Sequence, residues 1–413
     1  MQTWFFRHTV RLITAISLMV FFSACADAAS LRTPVPIEPQ TVKTGIHLLL
    51  DDGRKAWPVE MWPEHLKAAR QVAGEWGYVT QLVRLDDLDA GKWQTFMDEC
   101  ARLHLTPILR LATTYNRIDH YWNRPPADPD GRYTRTAAQA AEFITALAWP
   151  TDQHFVIVGN EPNHGDEWGG RPDPAAYARF LMAVAETLHA ADPQARVLNA
   201  GFDAYTPHTG DQAWLDGLFY MDEESFLDGM VAAQPEVFTH LDGWASHPYP
   251  LGPFSQPPWQ QEYRIDLLNG AINPAHQDPP AEIYNRGING YEWELWKLST
   301  YGIEGLPVLI TETGWRHTET SSDQATDGAS ALPDAQTAAI YFDLAYRGNG
   351  GRYPDLPDSG WTAWLDDPRV IAITPFALDG NPLEWGHTNW LMLTPHGRIE
   401  GEYPAFDAFA AQP

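Results

Sequence analysis

The sequence predicts an α/β fold, a (β/α)8 TIM barrel in a single domain with long loops on the C-terminal face of its strands. Three observations predict it. Eight short apolar runs alternate with amphipathic, helix-like segments along the chain. The connections that follow the runs are long and rich in Trp, Tyr, His and Pro, whereas those leading into them are mostly short. Two of the runs close on a glutamate, at the end where such a barrel keeps its chemistry.

The strand-like runs are 45–50, 78–84, 106–111, 154–160, 196–200, 241–247, 307–311 and 370–376. They are β-branched and almost free of charge, as strands buried on both faces must be. Helical candidates lie between them at 63–76, 92–103, 134–149, 174–191, 223–237, 281–301 and 335–346, and a last one covers 405–410. The fifth run is short. A doubly wound open sheet is the competing topology, but no Gly-rich phosphate loop follows the first run, which ends in Asp51-Asp52. Loops 113–133, 162–172, 202–222, 248–280 and 377–390 are those expected to build a cleft. Stretch 348–367 has no place in this pattern.

With 54 acidic and 27 basic residues the chain carries a formal charge of −27. That argues against nucleic acid as a partner and against electrostatic docking on an anionic membrane. The 18 Trp residues suit stacking on sugar rings as well as core packing. Residues 1–28 read as an export signal: Arg7, His8 and Arg11 precede an apolar run too short to span a bilayer, followed by small residues. Two processing routes are open. Ala26-Asp27-Ala28 fits ordinary signal cleavage, while Phe22-Ser23-Ala24-Cys25 resembles a lipobox that would make Cys25 a lipid anchor, the one membrane contact expected. Residues 29–44 then form a spacer and 45–413 the barrel. Cys100 is left alone, a small core residue on a helix.

The chemistry is read from two segments. HFVIVGNEPN ends the fourth run with Asn160 and Glu161, and LPVLITETGW ends the seventh with Glu312. Two acids converging from separate strands are what glycosidic bond cleavage requires. The pair of motifs resembles clan A of the glycoside hydrolases, in which the acid/base Glu follows the fourth strand, preceded by Asn, and the nucleophile ends the seventh. The resemblance covers roughly residues 45–410, and TETGW is most similar to the β-1,3-glucanase-type members. It implies a retaining hydrolase of β-linked glycans, with Glu312 as nucleophile, Glu161 as acid/base and Asn160 on the sugar 2-hydroxyl. No cofactor is implied, and the partner is an oligo- or polysaccharide.

Supporting residues follow from position. His247 and Tyr249 close the sixth run, next to the nucleophile strand, where the resemblance implies a polar aromatic on the nucleophile carboxylate. Arg84 and Arg110 lie near the ends of the second and third runs, each able to pair with Glu312 and hold it ionised. Trp315, Trp385 and Trp390 follow the last two runs as candidates for the floor of a sugar subsite, Trp385 foremost. His47 reads as a core histidine, and Asp51-Asp52 as helix-start and solvated-loop charges. No metal motif and no Gly-x-Ser-x-Gly elbow occur. The rival readings are a non-catalytic glycan-binding barrel and a transglycosylase using the same residues.

Overall fold

The computed structural model describes residues 36–206, 218–261, 280, 283, 286–318 and 332–410. The export signal, Cys25, part of the spacer and parts of loops 202–222 and 248–280 lie outside the described residues. Eight parallel strands carry the fold: β1 (Gly45–Leu48), β2 (Tyr78–Arg84), β3 (Thr106–Ala112), β4 (His154–Val158), β5 (Ala195–Asn199), β6 (Trp244–Ser246), β7 (Val308–Ile310) and β8 (Val370–Ile373). Strands β1 to β5 pair in sequence order as one sheet, and β6 to β8 as another. One isolated parallel bridge spans each seam, Leu198 with Gly243 and Thr44 with Ile373. Side chains complete the first seam. Asn199 exchanges hydrogen bonds with the Ala245 backbone, and Asp242 Oδ2 accepts from the Val197 N–H at 2.8 Å.

Helices separate the strands: α1 (Trp62–Ala73), α2 (Ala90–Leu103), α3 (Thr134–Ala146), α4 (Pro174–Ala191), α5 (Glu223–Ala233), α6 (Tyr291–Thr300), α7 (Ala335–Arg347) and α8 (Pro404–Ala410). Asp89, Asp173, Asp222 and Asp334 cap α2, α4, α5 and α7, each accepting first-turn N–H groups. Three helices stop short of their expected ends or start late. At α1, Gly74 takes φ +82° and its N–H closes on Arg70 O. Pro235 forbids helix at the preceding Gln234, so α5 ends at Ala233. Gly287 and Gly290 postpone α6 to Tyr291.

Period-2 alternation divides each strand between two cores. Val156 and Val158 of β4 join the layer against the helices, while Phe155 and Ile157 join a second cluster with Tyr78, Ile108, Leu198 and Leu309 on the other face. Ile37 packs into that second cluster and Lys43 donates to two carbonyls of 365–367. Residues 36–44 are therefore part of the fold, which corrects their reading as spacer. Stretch 348–367 covers α7: Asn349 Nδ2 donates to three carbonyls of its own loop, and the Trp364 indole donates to Ile288 O. Cys100 is buried and free in the helix-facing layer.

Candidate active site

Along the second face the strands change from apolar to polar toward their C-terminal ends. On β1, Ile46 and Leu48 face the helices, so His47 faces the other way. Arg110 stands two residues beyond Ile108 on β3 and shares its face. Beyond β4 the chain turns through Gly159 at φ +92° to Glu161, itself at φ +29°, a left-handed value that is costly for a side chain with a Cβ. The Glu161 N–H donates to Gly201 O at 3.0 Å, which fixes that turn against the end of β5. Glu312 follows β7 by two residues, and the Thr311 N–H donates to Ser246 O, continuing the β6–β7 ladder up to the site.

These strand ends bring six predicted residues together. Arg110 donates to Glu312 Oε1 and, at 2.8 Å, to Asn160 Oδ1. The Tyr249 hydroxyl donates to Glu312 Oε2 at 3.0 Å. His247 Nδ1 lies 2.8 Å from Glu161 Oε1 and 3.9 Å from Glu312 Oε2. The ligand atoms of Glu161, His247 and Glu312 all fall within 4.8 Å of one another. His47, read from the sequence as a core histidine, is buried beside the same carboxylate, its Nδ1 3.1 Å from Thr311 O and 3.8 Å from Glu312 Oε1.

The two carboxyl groups are driven in opposite directions. Burial pushes Glu161 well above the ordinary carboxylate range, and the nearby charges of Asp203 and Glu312 push the same way. Burial would also raise Glu312, but His247, Arg110 and His47 outweigh it and bring the group down to about 2. Burial lowers His247 to about 4 and His47 to about 3, so both imidazoles are neutral at neutral pH. Arg110 is then the lasting cation that keeps Glu312 ionised. Glu161 keeps 18% of its side chain open to the cleft, whereas Glu312 keeps 8%. Burial favours the protonated form of the more reachable acid, and neighbouring charges favour the ionised form of the enclosed one.

The cleft around them has a volume of about 280 Å³, at the small end of ligand sites. Trp385 borders it, edge-on to Phe376 at 4.9 Å, with the Arg54 guanidinium 5.1 Å from its ring. Two predicted site residues and a third candidate lie elsewhere. Arg84 is drawn away from Glu312 by Asp51 at 2.5 Å and Asp86 at 3.0 Å. Trp315 and Trp390 are each 1% exposed, packed in the helix-facing core against Phe342. Gly314 at φ +154° turns the chain between Glu312 and Trp315 and sends the indole outward. The Asp51-Asp52 pair is buried rather than solvated, and Asp52 lines the cleft.

Glu167 and Asp203 also line the cleft and were not found from the sequence. Burial raises them to about 7 and about 6. Asp203 sits in a loop and Glu167 in a single 3-10 turn, Gly165–Glu167, where no periodicity indicates direction; the only signal was that each segment follows a strand. Among the described residues, Glu161, His247 and Glu312 alone have the spacing of a cation site. Arg110 already places a fixed positive charge on Glu312, which opposes a second cation there.

No protein-family model matches the chain, and no curated protein matches it. Solved structures do. The fold is similar to that of a glucosidase from Croceicoccus marinus, with 13% identity and a TM-score of 0.54, covering 92% of this chain and 68% of that one. Others include Thermotoga maritima Cel5A in complex with cellobiose (8% identity, TM-score 0.48, 89% and 97% covered). The virulence factor SghA from Agrobacterium tumefaciens also matches (13%, 0.47, 90% and 97%). The likeness to the glucosidase is one of fold, and at that level it agrees with the barrel architecture expected from the sequence.

Proposed function

We propose that this protein is a retaining glycoside hydrolase of β-linked glycans, acting on a closed eight-stranded barrel. One observation carries the reading: Glu161, which burial raises, and Glu312, which neighbouring charges lower, stand with ligand atoms no more than 4.8 Å apart. Retaining enzymes hold their carboxyl groups ~5–5.5 Å apart, whereas inverting ones need ~6.5–9.5 Å to admit a water. Closure is supported by the bridges across both seams.

The steps follow from the charges. Glu312 attacks the anomeric carbon while Glu161 gives its proton to the leaving oxygen, forming a glycosyl ester on Glu312. Glu161, now ionised, takes a proton from water, and that water displaces Glu312 with net retention. Arg110 and Tyr249 orient the Glu312 carboxylate, and Asn160, held by Arg110, faces the sugar hydroxyl next to the reacting carbon. The long, aromatic-rich loops suit endo attack on a polysaccharide. The same site serves a transglycosylase when a sugar replaces the water; a binding barrel would have no use for two acids in opposite protonation states. Export through residues 1–28, free or anchored at Cys25, belongs to the same proposal, and a Cys25→Ala variant partitioning out of detergent extracts would establish the anchor.

The test is product release from β-glucans, mannans, xylans and galactans, with wild type, Glu312→Gln and Glu161→Gln. Oligosaccharides from wild type alone support the reading. Binding that survives both substitutions, without cleavage by wild type, overturns it in favour of a glycan-binding protein.

A further inference from the structure

The cleft is lined by six carboxyl groups, of Asp52, Glu161, Asp166, Glu167, Asp203 and Glu312, against the two guanidinium groups of Arg54 and Arg110. Both cations already have a carboxylate partner. Arg110 is engaged by Glu312 and Asn160, and Arg54 by Glu384 at 2.7 Å. Asp52 differs from the other acids. It is only 3% exposed, in the turn that follows β1. Its Oδ1 accepts the backbone N–H groups of Arg54 at 2.8 Å and Lys55 at 2.5 Å, so the side chain cannot swing away. Asp52 lines the cleft, and its Oδ2 is buried with no hydrogen-bond partner among the described residues. A buried carboxylate oxygen without a donor is costly, and a fold that locks it in place has a donor to supply from elsewhere.

We infer that Asp52 is a specificity-determining residue whose Oδ2 accepts a hydrogen bond from a hydroxyl or ammonium group of the bound sugar. Asp52 makes this a cleft for neutral or amino sugars and against uronic or sulfated ones. The inference rests on the hydrolase reading for its substrate, but the recognition chemistry is a property of the cleft. A carboxylate accepts from either donor and repels an anion, so the two favoured sugar types share one mode of contact.

Asp52→Asn is the informative change. Its amide oxygen can keep both turn N–H groups while an N–H2 donor replaces the acceptor facing the cleft. Wild type and Asp52→Asn would be compared in kcat/KM on a neutral β-glucan, a β-glucosamine polymer and a β-glucuronan. Wild type is expected to cleave a neutral or amino polymer at least tenfold faster than the uronic one. Asp52→Asn is expected to lose at least tenfold on that preferred polymer and to narrow the gap to the uronic one. Equal rates for the two proteins within twofold on every polymer, or a wild-type preference for the uronic polymer, overturns the inference. A second arm needs no turnover. Oligosaccharides of the same three types are titrated calorimetrically into Glu312→Gln, with and without Asp52→Asn. Weakening confined to the neutral or amino ligands upholds the role of Asp52 even if wild type cleaves nothing, and unchanged binding overturns it. Should Asp52→Asn fail to fold, the order of affinities for Glu312→Gln alone decides: tightest binding by the uronic ligand overturns the inference, and weakest binding by it upholds it.

Discussion

At the residue scale the site is an exercise in keeping two similar groups different. Glu312 stays ionised because Arg110 is beside it at every working pH, while the imidazoles of His47 and His247 carry charge only in acid. Replacing Arg110 with Met is expected to let burial dominate and to raise Glu312 from about 2 toward or above the ordinary range. The acid limb of the kcat/KM profile should then move to higher pH, and the protein should lose ~3–5 kcal/mol of stability, the usual cost of breaking a buried pair. An unmoved acid limb would mean that Arg110 does not set the charge of Glu312. Tyr249→Phe removes one hydrogen bond to a charged acceptor, ~1.5–3 kcal/mol, so a ~10- to 100-fold loss in kcat is expected. Glu161 works while protonated, so activity should fall as pH rises through its raised value. Glu161→Gln should abolish that alkaline limb on substrates whose leaving groups need no proton. Both acids, Asn160, Arg110, His247 and Tyr249 were legible because strand ends fix where a residue stands. The alternation of Ile46, His47 and Leu48 leaves His47 either a core or a cleft-facing position, and its place beside Glu312 decides between them. Asp52, Glu167 and Asp203 were not legible, because loops and single turns have no period to read.

At the element scale, hydrophobic period gave the eight strands and eight helices, and local chemistry moved their ends. Gly74 and Pro235 stop helices whose apolar pattern continues past them. Ile37 shows the opposite case, a single apolar residue in a Pro-containing stretch that packs across the strands from outside any pattern. Trp315 was misplaced because one glycine reverses the face on which its neighbours are counted. Gly201, just past β5, is an equally local constraint: a Cβ there would meet the His247 ring at 2.1 Å. Gly201→Ala must displace that imidazole and with it the 2.8 Å contact to Glu161. The expected result is a ~10- to 100-fold fall in kcat with a stability loss of ~1–3 kcal/mol, the usual range for overpacking. Rates and melting temperature measured together test this, because stability loss with unchanged kcat would show that His247 does not position Glu161.

At the scale of the whole molecule, charge and buried titrating groups act on stability together. Burial would lower His65, but its hydrogen bond to Asp379 at 2.8 Å and the charge of that group carry it above its usual value. A raised histidine contributes stability that is complete below about pH 6.5 and is lost as pH rises through the folded value. Glu161, also raised, favours the folded state more at low pH for the same reason. Glu312 has the opposite sign: its contribution is present above about pH 4.5 and is lost as pH falls toward 2. Self-repulsion among a net −27 charges adds a decline above the isoelectric point near 4.7. The melting temperature should therefore peak between about pH 5 and 6.5 and fall toward pH 9. Raising NaCl from about 10 mM to about 0.5 M should reduce that alkaline fall, because surface repulsion is screened. It should not remove it, because the His65–Asp379 pair is fully buried and salt reaches it poorly. His65→Gln should flatten part of the remaining slope. A melting temperature that rises from pH 6 to 9 at high salt would show that the lowered His47 and His247, which gain stability as pH rises through about 6.5, outweigh the raised His65 and Glu161.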